Sequence, residues 1–147
     1  MEKIIKAELA HLDAFSALFN QYRIFYRQPS DLERATSFIK DRISNNETVT
    51  FLAVVDDKIV GFAQLYPLFH YTKLQKQWLL SDLFVDPEFR GRGLSVSLID
   101  RCKEFCTETK ACGLLLETEK TNDIGNNLYP KCGFEVDTHH NYYNWWK

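Results

Sequence analysis

Between Leu79 and Ser95 the chain runs from an apolar stretch, Leu79-Leu80-Ser81-Asp82-Leu83-Phe84-Val85, through Asp86-Pro87-Glu88-Phe89 into Arg90-Gly91-Arg92-Gly93-Leu94-Ser95. The first part predicts a strand, the second a turn, and the third a loop opening a helix. That helix is marked by an apolar stripe at Ser95, Leu98, Ile99, Cys102, Phe105 and Cys106. A glycine loop joining a strand to a helix start turns backbone N–H groups outward at the positive end of the helix, a geometry that holds anions. The fold must therefore be one in which a sheet strand feeds directly into a helix, which restricts the chain to the mixed α/β classes.

The remainder of the chain fits that restriction. Residues 2–8 predict a short strand, and Leu12, Phe15, Phe19, Tyr22 and Tyr26 recur at helical spacing from Leu9 onward. After Pro29, Ser30-Asp31-Leu32-Glu33 has the form of a capping box opening a second helix with Leu32, Ala35, Thr36, Ile39 and Ile43 on one face, ended by Asn45-Asn46. Val49–Val55 and Ile59–Tyr66 read as a hairpin about Asp56-Asp57-Lys58, residues 67–76 as a polar and aromatic connection, and Gln77–Val85 as the next strand. Leu114-Leu115-Leu116 predicts a central strand, Asn122–Cys132 a short helix stopped by Gly133, and Phe134-Glu135-Val136 and the tail Tyr142–Trp146 two further strands.

With 147 residues, the chain can bury one full core, and no repeat or linker divides it, so residues 1–147 are expected to be a single domain. A 45% apolar share excludes a disordered chain, and a net charge of −2 gives no general attraction for nucleic acid or an anionic membrane. An anion site must then be local. The first residues lack the apolar core of a signal peptide, no apolar run approaches membrane-spanning length, and Cys102, Cys106, Cys112 and Cys132 have no zinc spacing. The expectation is a cytoplasmic protein with free thiols and no bound metal.

Three phosphate-binding patterns compete for the loop. GxxxxGK followed by Ser or Thr is absent, and a dinucleotide GxGxxG fails because Val96 stands at its third glycine. Arg-x-x-Gly-x-small is matched by Arg90-Gly91-Arg92-Gly93-Leu94-Ser95. This string resembles the pyrophosphate loop of the GNAT superfamily of acetyl-CoA-dependent N-acetyltransferases, with Ser95 departing from the usual Gly or Ala. Independently of the resemblance, the glycines allow close backbone approach and Arg90 and Arg92 add fixed charge. A second string, Asn122-x-x-Gly125-x-x-x-Tyr129-x-x-x-Gly133-Phe134, is similar to the second cofactor motif of that superfamily, with Gly125 where Ala is commoner and an unusual Pro130.

The resemblance implies a GNAT fold: a mixed α/β (α+β) domain with one twisted, mostly antiparallel sheet of about seven strands, a central parallel pair and about four helices. It implies acetyl-CoA as acetyl donor, held by Arg90, Gly91, Arg92, Gly93, Leu94 and Ser95, by Asn122 on the pantetheine arm, and by backbone groups of Phe84 and Val85 pairing with the pantetheine amides. Tyr129 would lie near the thioester sulfur as the acid for the leaving thiolate. Asn122 has a second reading as a helix N-cap, which is compatible with the first, and the alternative for Tyr129 is a core tyrosine.

A primary amine resembles Lys, so only about one molecule in 2,500 is unprotonated at pH 7, and transfer needs a proton acceptor. Asp82 is the candidate base: Leu80, Asp82 and Phe84 are expected to alternate onto one strand face, setting a carboxylate between apolar groups. The alternative is a carboxylate hydrogen-bonded at a bulge. Glu117 and Glu119 are further candidates, and His70 could line the acceptor mouth. Acidic residues Asp31, Glu33, Asp82 and Glu117 favour a cationic acceptor, a polyamine, amino acid or lysine-type amine. The aromatic tail either pairs with a second subunit, giving a homodimer, or packs on its own sheet. The rival function is a catalytically silent protein of the same fold that binds CoA as a sensor or interaction module.

Overall fold

A computed structural model describes residues 1–147. The chain separates into two compact units, Met1–Glu117 and Thr118–Lys147, which are taken in turn.

The first unit holds one open sheet in the order β1-β2-β3-β4-β5, formed by β1 (Glu2–Lys6), β2 (Val49–Val55), β3 (Lys58–His70), β4 (Gln75–Val85) and β5 (Leu114–Leu116). The first four strands pair antiparallel, and β4 and β5 pair parallel. The β2–β3 hairpin turns on Asp56 and Asp57, both at positive φ (47° and 63°), as a two-residue turn between twisted strands requires. The region expected to be a connection, 67–76, instead continues the ladder. Pairing runs from Tyr66↔Leu79 to His70↔Gln75, and the chain reverses over a single 3₁₀ turn at Tyr71–Lys73. Phe69 and Tyr71 are exposed there, and polar residues interleave with them. Backbone bonds carry the outer end of this ladder, while Trp78, opposite Pro67, anchors its inner end as a buried residue.

Helices α1 (Leu12–Phe25) and α2 (Leu32–Ser44) cover one face of the sheet, and α3 (Leu94–Glu108) covers the other. On the α1 face, fully buried Phe15 and Phe62 meet edge to face at 5.2 Å, and Phe19, Tyr22 and Phe84 surround Phe62 at 5.4–6.1 Å. Aromatic contacts of this kind add to the area term of a buried ring. On the α3 face, Phe105 packs on Phe51 (5.5 Å) and Trp78 (5.0 Å), and Cys102 and Cys106 are buried one turn apart. The N-cap of α2 is Asp31, not Ser30: its side chain accepts from the Arg34 N–H at 3.1 Å, while Ser30 Oγ accepts from Asn20 Nδ2. A carboxylate at the positive helix end outcompetes a hydroxyl for that place.

The second unit contains α4 (Asp123–Lys131). Gly133, at φ +89°, closes it: the Phe134 N–H reaches Tyr129 O and the Gly133 N–H reaches Pro130 O, with Phe134 packed on the Tyr129 ring at 5.8 Å. This is a Schellman stop, and Pro130 sits in the final turn. Residues 134–147 form no strand, so the sheet has five strands where about seven were expected. Asp137 draws the chain into a side-chain turn, accepting from the N–H groups of His139 and His140, and Tyr142, Tyr143, Trp145 and Trp146 are exposed. For the same reason β5 is paired on one side only, and the parallel pair stands at the sheet's edge instead of its centre. No helix of the chain is long and apolar enough to cross a membrane.

Candidate active site

Strand β4 does not keep a simple alternation. Gln64 is opposite Asp82, yet Leu65 is opposite Leu80, so Ser81 is an extra residue and the strand bulges there. A one-residue insertion exchanges the two faces of a strand. Leu80 therefore pairs with Leu65, on the face of Trp78 and α3, while Asp82 joins Phe84 on the face of α1. The expected row of Leu80, Asp82 and Phe84 on one face is corrected accordingly, because the bulge delivers the carboxylate to the other side.

There Asp82 meets hydroxyl groups. The Tyr22 hydroxyl donates to Oδ1 at 2.7 Å, and the Ser81 hydroxyl lies 2.7 Å from Oδ2 and 3.2 Å from the Gln64 carbonyl. Asp82, Ser81 and Gln64 border a cavity of about 510 Å³ in the first unit, with Tyr22 behind the carboxylate and outside the lining. The cavity's size suits a small ligand. Its apolar wall comes from Phe19, Phe38 and Tyr66. Arg42 lies 4.5 Å above the Phe38 ring and 2.9 Å from Glu47, which balances its charge and leaves Asp82 as the unpaired negative group of the lining. The Tyr66 hydroxyl is held above the ordinary range, first by burial and then by the charges of Asp82 and Glu117.

Beyond the bulge the second edge of β4 is open. β5 pairs only with Trp78, Leu79 and Leu80, so the residues from Ser81 to Val85 have a strand on the β3 side alone. Phe84 and Val85 are themselves buried.

The loop that follows has the geometry an anion needs. Gly91 and Gly93 sit at φ +78° and +79°, and a Cβ at either would meet no atom within 4 Å, so space above the backbone is open. Gly93 starts α3 in the left-handed region, no side chain caps that end, and Ser97 N–H is the first to bond back, to Gly93 O. Leu94 is buried as an anchor and Ser95 is half-buried. The two arginines differ. Arg90 Nε donates to Val85 O at 3.0 Å, with its guanidinium over Phe25 and Phe84, so it ties the loop to the strand. Arg92 stacks on Phe89 at 5.3 Å, and Lys58, from the β2–β3 turn, lies over the same ring at 4.9 Å. Open glycines, an uncapped helix start and these cations fit a pyrophosphate.

In the second unit Asn122 is the N-cap of α4, its Oδ1 accepting from Gly125 N–H at 3.1 Å while Nδ2 donates to Thr118 Oγ1 at 2.9 Å. Gly125 has a packing reason: a Cβ there would lie 2.6 Å from Asn122 Nδ2 and 3.1 Å from Tyr129 Cε2. Asn122 and Tyr129 thus converge over the same buried glycine, as their spacing of two turns predicts.

The remaining candidates are dispersed. Asp31 is consumed as a cap, Glu33 is exposed, and neither lines the cavity; Glu47 does. Glu117 reaches Tyr66 electrostatically, and the Glu119 carbonyl serves Asn126. His70 ends β3 beside Thr72, and His140 pairs with Asp137. No three His, Cys, Asp or Glu side chains gather as a metal site requires. No motif in the sequence marks Tyr22, Arg42, Tyr66 or Lys58 as site residues. Tyr22 reads there as one more apolar position of a helical stripe, and nothing local tells where its hydroxyl goes.

The family pattern described as Acetyltransferase (GNAT) family matches residues 12–134. A protein of Bacillus subtilis (strain 168), named "Uncharacterized N-acetyltransferase YhfO", is 39% identical over 135 residues, covering 92% of this chain and 91% of that one. A crystal structure of "a probable acetyltransferase" superposes with a TM-score of 0.93 at 33% identity, over 97% of this chain and 96% of that chain. A "predicted acetyltransferase" from Clostridium acetobutylicum, solved with acetyl-CoA, shares the fold at a TM-score of 0.79 and 18% identity, over 98% of this chain and 96% of that chain. A pattern spanning most of the residues, joined to relatives matched over most of their length, makes the assignment: this chain belongs to the GNAT family and is an N-acetyltransferase.

Proposed function

We propose that residues 1–147 act as one acetyltransferase domain that moves the acetyl group of acetyl-CoA to a primary amine, on a small molecule or a peptide, by direct transfer in a ternary complex. Acetyl-CoA supplies the acetyl group as an activated thioester. The chain's own groups bind, orient and move protons. Gly91, Gly93 and the first N–H groups of α3 receive the pyrophosphate, with Arg92 and Lys58 beside them, and the open β4 edge at Phe84 and Val85 pairs with the pantetheine amides in the manner of an added strand. Asn122 contacts the same arm.

Asp82 carries the reading of the acceptor. It is the unbalanced carboxylate of a cavity walled by aromatic rings, on the strand that leads into the anion loop. It binds the ammonium form and accepts its first proton, directly or through water; the freed nitrogen forms the C–N bond as the C–S bond breaks. Tyr129 gives its hydroxyl proton to the departing sulfur. The second nitrogen proton, shed as the neutral amide forms, returns through water to the Tyr129 oxygen that has protonated the sulfur. Burial, with Cys106 nearby, pushes the Cys102 thiol up to about 12, and burial with Cys112 pushes Cys106 up to about 11, so neither serves as an acyl carrier. This supports direct transfer.

The test is release of free thiol from acetyl-CoA in the presence of polyamines, amino acids, aminoglycosides and lysine peptides. Stimulation by at least one amine, lowered about 10²–10⁴-fold in Asp82→Asn, is expected. Tight CoA binding with no amine-stimulated release would support the silent CoA-binding module instead.

A further inference from the structure

The hydroxyl donors on Asp82 come from separate parts of the first unit. Ser81 is the bulge residue itself, and Tyr22 lies 60 positions away on α1. The Tyr22 ring is fixed on several sides: Tyr26 at 4.9 Å, Phe62 at 5.4 Å, Phe84 at 5.6 Å and Phe19 at 6.0 Å. A ring held in this way cannot follow a carboxylate that rotates. Each carboxylate oxygen already accepts one short bond, and a carboxylate offers about four acceptor positions in all. The positions left over are therefore set in direction by the two hydroxyls, and Asp82 borders the cavity.

We propose that Tyr22 is a positioning residue for acceptor binding: with Ser81 it clamps the Asp82 carboxylate so that its free lone pairs receive the ammonium group of a compact primary amine in the cavity. This inference rests on the acceptor reading above and adds a residue and a geometry to it. The clamp couples the first helix to the bulge, so the helix that walls the cavity through Phe19 also orients its charge. Tyr22 touches no reacting atom in this scheme. It acts through Asp82, and the amine nitrogen is aligned for attack only while the carboxylate is held, an effect for which misplacement by about 1 Å costs on the order of 10²-fold.

The deciding experiment is a double-mutant cycle in full-length protein, using Tyr22→Phe and Asp82→Asn with the best amine of the panel. Phenylalanine keeps the ring in its aromatic setting and removes the hydroxyl alone. Tyr22→Phe should raise the amine KM about tenfold and lower kcat by a similar factor, while the KM for acetyl-CoA stays within about twofold. On the Asp82→Asn background the same change should have little further effect, because the interaction is already lost. Ser81→Ala should move the amine KM in the same direction by a smaller factor, and it stands in if Tyr22→Phe folds poorly. An effect of Tyr22→Phe equal on both backgrounds, or shared by both substrates, would show a merely structural tyrosine and overturn the proposal. Wild-type protein inactive toward every amine would overturn the acceptor reading and the clamp together; an active wild type with an unaffected Tyr22→Phe overturns the clamp alone.

Discussion

Replacing Gly93 with alanine separates the conformational demand of the anion loop from its binding role, and Gly113→Ala is the control. Both glycines stand in open surroundings, with no atom within 4 Å of an added Cβ, but only Gly93 is in the left-handed region, at φ +79°. Steric contact inside the protein therefore contributes to neither change. An L-residue in that region costs about 1–2 kcal/mol, whereas alanine at a compatible glycine gains about 0.4–1 kcal/mol by restricting the unfolded chain. The two variants should differ by roughly 1.5–3 kcal/mol. For a chain of this size, about 4 °C per kcal/mol gives a Tm difference of about 6–12 °C, Gly93→Ala being the less stable. Calorimetric titration with CoA reads the second demand. The alanine methyl at 93 projects into the space through which a pyrophosphate would approach, so Kd should rise about 10–100-fold, or about 1.4–2.8 kcal/mol, while Gly113→Ala stays within about twofold. Equal Tm values for the two variants would refute the left-handed argument. An unchanged Kd in Gly93→Ala would refute the loop as the phosphate cradle.

Two further changes probe the chain by other means. Gly125→Ala places a Cβ 2.6 Å from Asn122 Nδ2, so overpacking of about 1–3 kcal/mol should outweigh the roughly 1 kcal/mol helix preference of alanine; a Tm above wild type would contradict the convergence of Asn122 and Tyr129. The Cys102 thiol, raised from an ordinary value of 9.0 to about 12 by burial, binds its proton more tightly in the folded state. Its contribution is thus intact below pH 9 and is lost as pH climbs from 9 toward 12, by up to about 1.4 kcal/mol per pH unit. Urea midpoints compared at pH 8 and pH 10.5 should fall less in Cys102→Ala than in wild type, and parallel falls would refute the assignment.

Much of this architecture was legible in local chemistry. Val49–Val55 alternates β-branched and apolar residues densely enough to demand a strand, and the stripe from Leu98 to Cys106 demands a helix. Glycines at 91 and 93 after an apolar strand pointed to an anion loop, because only glycine accepts both positive φ and close approach. The two final strands that propensity favours do not form: Val136 and Tyr142–Trp146 are good strand formers, but a strand exists only where a partner completes its hydrogen bonds, and these residues pair with none. At Ser30-Asp31 the pattern was sound and the capping atom was one residue off, since several polar groups there suit the same N–H.

What the amino-acid sequence determined by itself is the order of elements and the anion loop, because period, propensity and φ preference are local properties. What only the tertiary structure decided is the acceptor side. The bulge at Ser81 depends on the register of β3 against β4, which no single strand encodes, and that one residue moves Asp82 to the face of α1. The hydroxyl of Tyr22, 60 positions earlier, then finds a carboxylate that its own helix gives no reason to expect. Contacts across such a separation are set by packing of the whole sheet against its helices, so the site's charge could be named from the sequence, but its direction could not.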